Sequence, residues 1–246
     1  MPGILETAFD ERLNEVMAYL AFLDELEAAI LQGAPRFGET GAAISPQQTH
    51  ILRAGVFVQL YNLVEATMTR CLEALAAAST NGAWVPGDLT PAFRKEWVKV
   101  VVAANKDLNA ENRLRHAVTL TELLVTSQPL QAFKIEKGGG GNWNDTAIEE
   151  ILDRLGLRLV LAPQVRSAAK RPVRDQLGPL ALVVKLRNDL AHGSISFKEC
   201  GENETVGGLR QISQNTAMYL RSVVRAVERS IERHEFLTPE RRPVPA

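Results

Sequence analysis

Arg187, Asn188 and His192 fall within one nine-residue stretch, Lys185-Leu186-Arg187-Asn188-Asp189-Leu190-Ala191-His192-Gly193. Imidazole exchanges protons near neutrality, with an ordinary pKa of about 6.5. A guanidinium stays charged and presents a planar fork that matches two oxygens of a phosphate. Side chains of these types, close together, suit proton transfer beside a phosphoryl group that gathers negative charge.

Spacing alone does not single this pair out. With 20 arginines and four histidines in 246 residues, three neighbouring spacings yield about one Arg–His match by chance. Arg229–His234 is a second match, inside an amphipathic terminal helix, and reads as a decoy. Context separates the two, because His192 sits beside a glycine at a predicted helix end, where an imidazole can reach solvent. His50 and His116 read as exposed or boundary positions, and no histidine has a Cys or carboxylate at metal-ligand spacing. The run Gly138–Gly141 lacks the strand, helix and Lys-Ser/Thr pair of a phosphate loop, so a flexible turn is the better reading.

The elements that must position these groups are helical. Apolar residues at three- and four-residue spacing predict a helix over 4–32 and a second from Ser45-Pro46 to about Ala78. Further helices are predicted over 91–104, 111–125, 147–155, 180–191 and 209–234. Residues 163–175 read as a basic connector carrying Arg166, Lys170, Arg171 and Arg174. The expected class is all-α, one domain over 1–235, with an irregular Gly-rich middle third and a disordered tail over 236–246.

Charge is balanced overall, 28 basic against 29 acidic side chains, but not along the chain. Residues 1–45 carry 2 basic and 8 acidic side chains, whereas residues 160–246 carry 14 and 9. A polyanion should therefore meet the C-terminal third. Cys71 and Cys200 form no CxxC pattern, which leaves no readable zinc site or disulfide framework. The acidic start has no basic leader region, and no stretch approaches a membrane span, so a cytoplasmic chain is expected.

The stretch LRNDLAHGSISF resembles the signature of the HEPN superfamily, an Arg and a polar residue followed by His four to six positions after the Arg. QLYNLVEAT (59–67) is similar to the paired-helix element of a prokaryotic defence-associated branch, and FKIEKGGGGNWNDTAIEEILDRLG to its Gly-rich insert. The resemblance covers roughly 45–233 and leaves out the acidic helix over 1–33. It implies a helical bundle that dimerises and cleaves RNA without a metal or other cofactor, as a toxin or phage-defence component. An antitoxin or defence-system protein is the partner it implies.

In that setting the substrate's own 2′-hydroxyl is the nucleophile, His192 the general acid or base, and Arg187 the stabiliser of the phosphate. Asn188 would hold the phosphate or orient His192, and Asp189 reads as a helix-end charge partner. On an ideal helix Arg187 and His192 lie roughly 140° apart and about 7.5 Å along the axis, so a two-fold axis that gathers two copies would complete the site. Asn62 and Glu65, one helical turn apart, are either surface or a buried partner for Arg187. Arg166, Lys170, Arg171 and Arg174 are candidates for RNA backbone contacts, or a solvated charge run. The alternative function is a non-catalytic helical dimer that binds a nucleotide or a partner.

Overall fold

The computed structural model describes residues 3–38, 40–103, 109–138 and 142–244. Among the described residues the protein is all-α, with nine α-helices and no strand. They are α1 (Ile4–Gln32), α2 (Pro46–Thr80), α3 (Pro91–Ala103), α4 (Ala110–Val125), α5 (Asp145–Arg154), α6 (Pro163–Lys170), α7 (Pro179–Ala191), α8 (Phe197–Glu202) and α9 (Val206–Glu232). Short 3-10 turns occupy Pro86–Asp88 and Pro239–Arg241.

Most boundaries agree with the periodicity. At the start of α2, Ser45 Oγ accepts from the Gln48 N–H while Gln48 Oε1 accepts from the Ser45 N–H, a reciprocal cap. Two helices depart from the sequence reading. The stretch read as a connector from 163 folds as α6 up to Lys170, with Pro163 at its first turn. Only Ala169 of α6 is buried, so the helix has no apolar stripe to read. The six residues of α8 are too few for a period, yet Ser196 and Glu199 form a capping box that is legible in the sequence. α9 begins before residue 209 because Thr205 caps it across two helix-weak glycines, Gly207 and Gly208.

Of the tail expected to be disordered over 236–246, the first residues are packed into the structure, and residues 245–246 lie outside the described residues. Phe236 and Leu237 are fully buried, and the Thr90 N–H donates to the Phe236 carbonyl at 2.9 Å. The Thr238 N–H donates to the Asp88 carbonyl, and Arg241 pairs with the Asp88 carboxylate. Burial of two large apolar side chains supplies what the polar residues after them cannot.

The chain divides into two compact units, one of residues 1–67, 142–146 and 161–223, the other of residues 68–141, 147–160 and 224–246. In the first, α1 buries Phe9, Val16, Leu20, Leu23 and Leu26. Four of its acids are met by arginines of the same unit: Arg221 pairs with Glu6 and Asp10, Arg210 with Asp24, and Arg53 with Glu27. In the second, Leu89, Phe93, Trp97, Phe236 and Leu237 form part of the core. There His234 follows α9 with a left-handed backbone, its ring 6.1 Å from Trp84 and 5.6 Å from Phe236. The decoy histidine is thus part of an aromatic cluster.

Candidate active site at the end of helix α7

α7 starts where Gly178 lets the chain pass close to α6, since a Cβ there would lie 2.5 Å from the Ala169 carbonyl oxygen. Leu180, Leu182, Val183 and Leu186 are buried, which fixes the rotation of the helix about its axis. That rotation leaves Arg187, Asn188 and Asp189 half-buried.

The helix ends at His192, which takes the cap position. The Gly193 N–H donates to the Leu190 carbonyl and the Ser194 N–H to the Asp189 carbonyl, the pair of bonds that defines a Schellman ending. The motif requires a left-handed residue after the cap, and Gly193 supplies it at φ +71°. The backbone therefore turns away directly after His192, and the imidazole is exposed.

Arg187 is held from two sides. Its guanidinium carbon lies 4.1 Å from the centroid of the buried Tyr61 ring on α2, a cation–π arrangement. Its Nη1 donates to Asn188 Oδ1 at 3.0 Å, and Asn188 Nδ2 donates to Asn142 Oδ1 at 3.1 Å. The Tyr61 hydroxyl is pushed up by burial and by the charge of Glu65, with Arg187 pulling the other way. Glu65 thus acts on the same cluster from half-buried surroundings, while Asn62 is exposed. Asp189 pairs with Lys185 one turn back, as a helix-end charge partner would.

Tyr61 and Asn142 are the residues that sequence reasoning missed. Tyr61 lies inside QLYNLVEAT, four residues before Glu65, where an aromatic among leucines reads as plain core. Asn142 follows the glycine run. Of that run, residues 139–141 lie outside the described residues, and Gly138 has a left-handed backbone.

The four basic residues over 163–175 divide in two. Lys170 pairs with Asp145, and Arg174 with Glu204 at 2.6 Å, whereas Arg166 and Arg171 are exposed. The Val173 N–H donates to the Leu177 carbonyl and the Leu177 N–H to the Arg174 carbonyl, closing a tight turn with Asp175 and Gln176 left-handed.

Burial pushes the Glu204 carboxyl up, more than Arg174 and Arg53 pull it down. The native state therefore holds a proton that the unfolded chain has already lost, over the window between the two pKa values. Stability falls as pH rises through that window. Glu204→Gln is expected to flatten this slope, measured as the urea midpoint of both proteins from the carboxylate range to neutrality. An unchanged slope would refute the assignment to Glu204.

Burial pushes the Cys71 thiol up to about 12 and the Cys200 thiol up to about 11, which makes both poor nucleophiles. Among the described residues no group of three His, Cys, Asp or Glu is placed to hold a metal ion. No helix among them is long and apolar enough to cross a membrane.

No curated protein and no solved structure matches the chain. The MAE_28990-like HEPN family matches residues 3–236, which takes in the acidic helix α1 as well as the Arg–His segment. With nearly its whole length matched and an all-α fold, the chain belongs to the HEPN superfamily.

Proposed function

We propose that the protein is a metal-independent endoribonuclease that cleaves RNA through attack of the substrate's 2′-hydroxyl, acting as a toxin or phage-defence component. The observation that carries this reading is an exposed imidazole at the cap of α7, five residues after a guanidinium held on Tyr61 and Asn188. In the reaction the 2′-oxygen bonds to phosphorus as the bond from phosphorus to the 5′-oxygen breaks. One proton leaves the 2′-hydroxyl and another reaches the departing 5′-oxygen, which leaves a 2′,3′-cyclic phosphate and a 5′-hydroxyl.

His192 is suited to one of these transfers. Arg187 opposes the charge that builds on the non-bridging oxygens, with part of its N–H fork already committed to Asn188. A homodimer with its two-fold axis beside α7 would bring a second imidazole to the same site, so that one acts as base and the other as acid. Treating RNA with the purified protein in excess EDTA and identifying the product ends tests the reading. Cyclic-phosphate and 5′-hydroxyl ends support it. Intact RNA from a folded protein favours a non-catalytic binding module instead, in which the Arg187–Tyr61 contact serves the fold.

Arg166 and Arg171 are the candidates for RNA backbone contact, since Lys170 and Arg174 are engaged with acids. Arg166→Ala and Arg171→Ala are each expected to weaken binding of all RNA sequences alike. Each should lower the slope of log affinity against log salt by about 0.7. Arg174→Ala should instead lower the unfolding midpoint, because it leaves the buried Glu204 carboxylate unpaired. Salt titrations with a labelled oligonucleotide and urea unfolding separate the two outcomes.

A further inference from the structure

Residues 142–146 join the first unit away from their neighbours in sequence, and two contacts within that unit hold them there. The Trp143 side chain is 3% exposed. The Tyr219 hydroxyl donates to the Asp145 carbonyl at 3.2 Å, and Lys170 Nζ pairs with the Asp145 carboxylate. Asn142, exposed at the start of this anchored segment, meets Asn188 as a consequence.

The chemistry of the three side chains forces the order of the bonds. Arginine only donates, so the Asn188 atom that faces Arg187 is its oxygen. The Asn188 amide nitrogen is then turned to Asn142, and the atom that receives it is the Asn142 oxygen. A primary amide alone can turn over with little penalty, and the flipped Asn188 would set donor against donor at the guanidinium. That clash already fixes which face of the Asn188 amide meets Arg187, and the bond to Asn142 adds a second anchor that restrains the Asn188 side chain as a whole.

We infer that Asn142 is a positioning residue of the site: by accepting from Asn188 it restrains the side chain whose oxygen meets Arg187 and so sets how the guanidinium is presented to the phosphate. This role rests on the ribonuclease reading above. It also gives Lys170 a function other than RNA contact, that of holding the segment that carries Asn142.

The test is a double-mutant cycle in the full chain, with Asn142→Ala, Asn188→Ala, the double variant and Asn142→Asp, all checked for folding by urea unfolding. Asn142→Ala is expected to lower kcat by about three- to tenfold with little change in KM. In the Asn188→Ala background the same substitution should change kcat no further. Asn142→Asp keeps an acceptor oxygen, so kcat should return to within about twofold of wild type, while its charge raises KM for RNA. Independent effects at 142 and 188, or an aspartate no better than alanine in kcat, overturn the role of Asn142 and leave the ribonuclease reading standing. No cleavage by the wild type overturns both.

Discussion

His192→Ala is expected to lower RNA cleavage by about two to four orders of magnitude, the usual worth of a positioned general acid or base. The folded state should hardly notice. His192 is exposed, and the groups that end the helix are the Gly193 and Ser194 N–H groups and the carbonyls of Leu190 and Asp189, all backbone. The unfolding free energy from urea titration should therefore move by no more than about 0.5 kcal/mol, as for other surface substitutions. The assay is cleavage in excess EDTA by wild type and variant at matched concentration, with the urea midpoint of each measured alongside. Equal cleavage by the two proteins would remove His192 from the mechanism.

The second large effect is expected from Arg187→Lys, which keeps the charge. A lysine has no planar fork, so it cannot hold the Asn188 oxygen and a phosphate in one plane, nor lie flat on Tyr61. Loss of a preorganised donor to a developing oxyanion typically lowers kcat by about a hundred- to a thousandfold. A comparable loss is expected here, with KM changing much less because the attraction for RNA persists. The comparison of kcat and KM for wild type and Arg187→Lys decides it. If lysine retains full kcat, charge alone is what the position supplies, and the contacts to Tyr61 and Asn188 serve the fold.

Much of this architecture is legible in the sequence because it repeats. α1, α2 and α7 carry apolar residues at helical spacing over many turns, and their ends are marked by Ser45-Pro46, Gly33 and Gly193. α6 has no such stripe, since it buries one residue, and α8 is visible only through its capping box. The tail was unreadable for a different reason. Phe236 and Leu237 are two apolar residues before a proline-rich stretch, and what buries them comes from elsewhere in the chain, including Leu89 and Phe93. Within the site, Arg187, Asn188 and His192 are contiguous and could be read together. Tyr61 and Asn142 reach Arg187 and Asn188 only through tertiary contact, and no local pattern encodes which aromatic or amide will arrive there.

Along the sequence the protein looks like an electric dipole, acidic at one end and basic at the other. Folding short-circuits part of it. Arg210 and Arg221, both from the basic end, lie against acids of α1, and Arg53 of α2 covers another. Opposite charges placed in contact cancel within a few ångströms, and at physiological salt whatever is left is screened beyond about 8 Å. Around α1 the field is correspondingly weak, and a polyanion would feel little of it until it is nearly in contact. Encounter with RNA at that face should then run near the unsteered rate of about 10⁵–10⁶ M⁻¹s⁻¹, with discrimination there settled after contact rather than during approach.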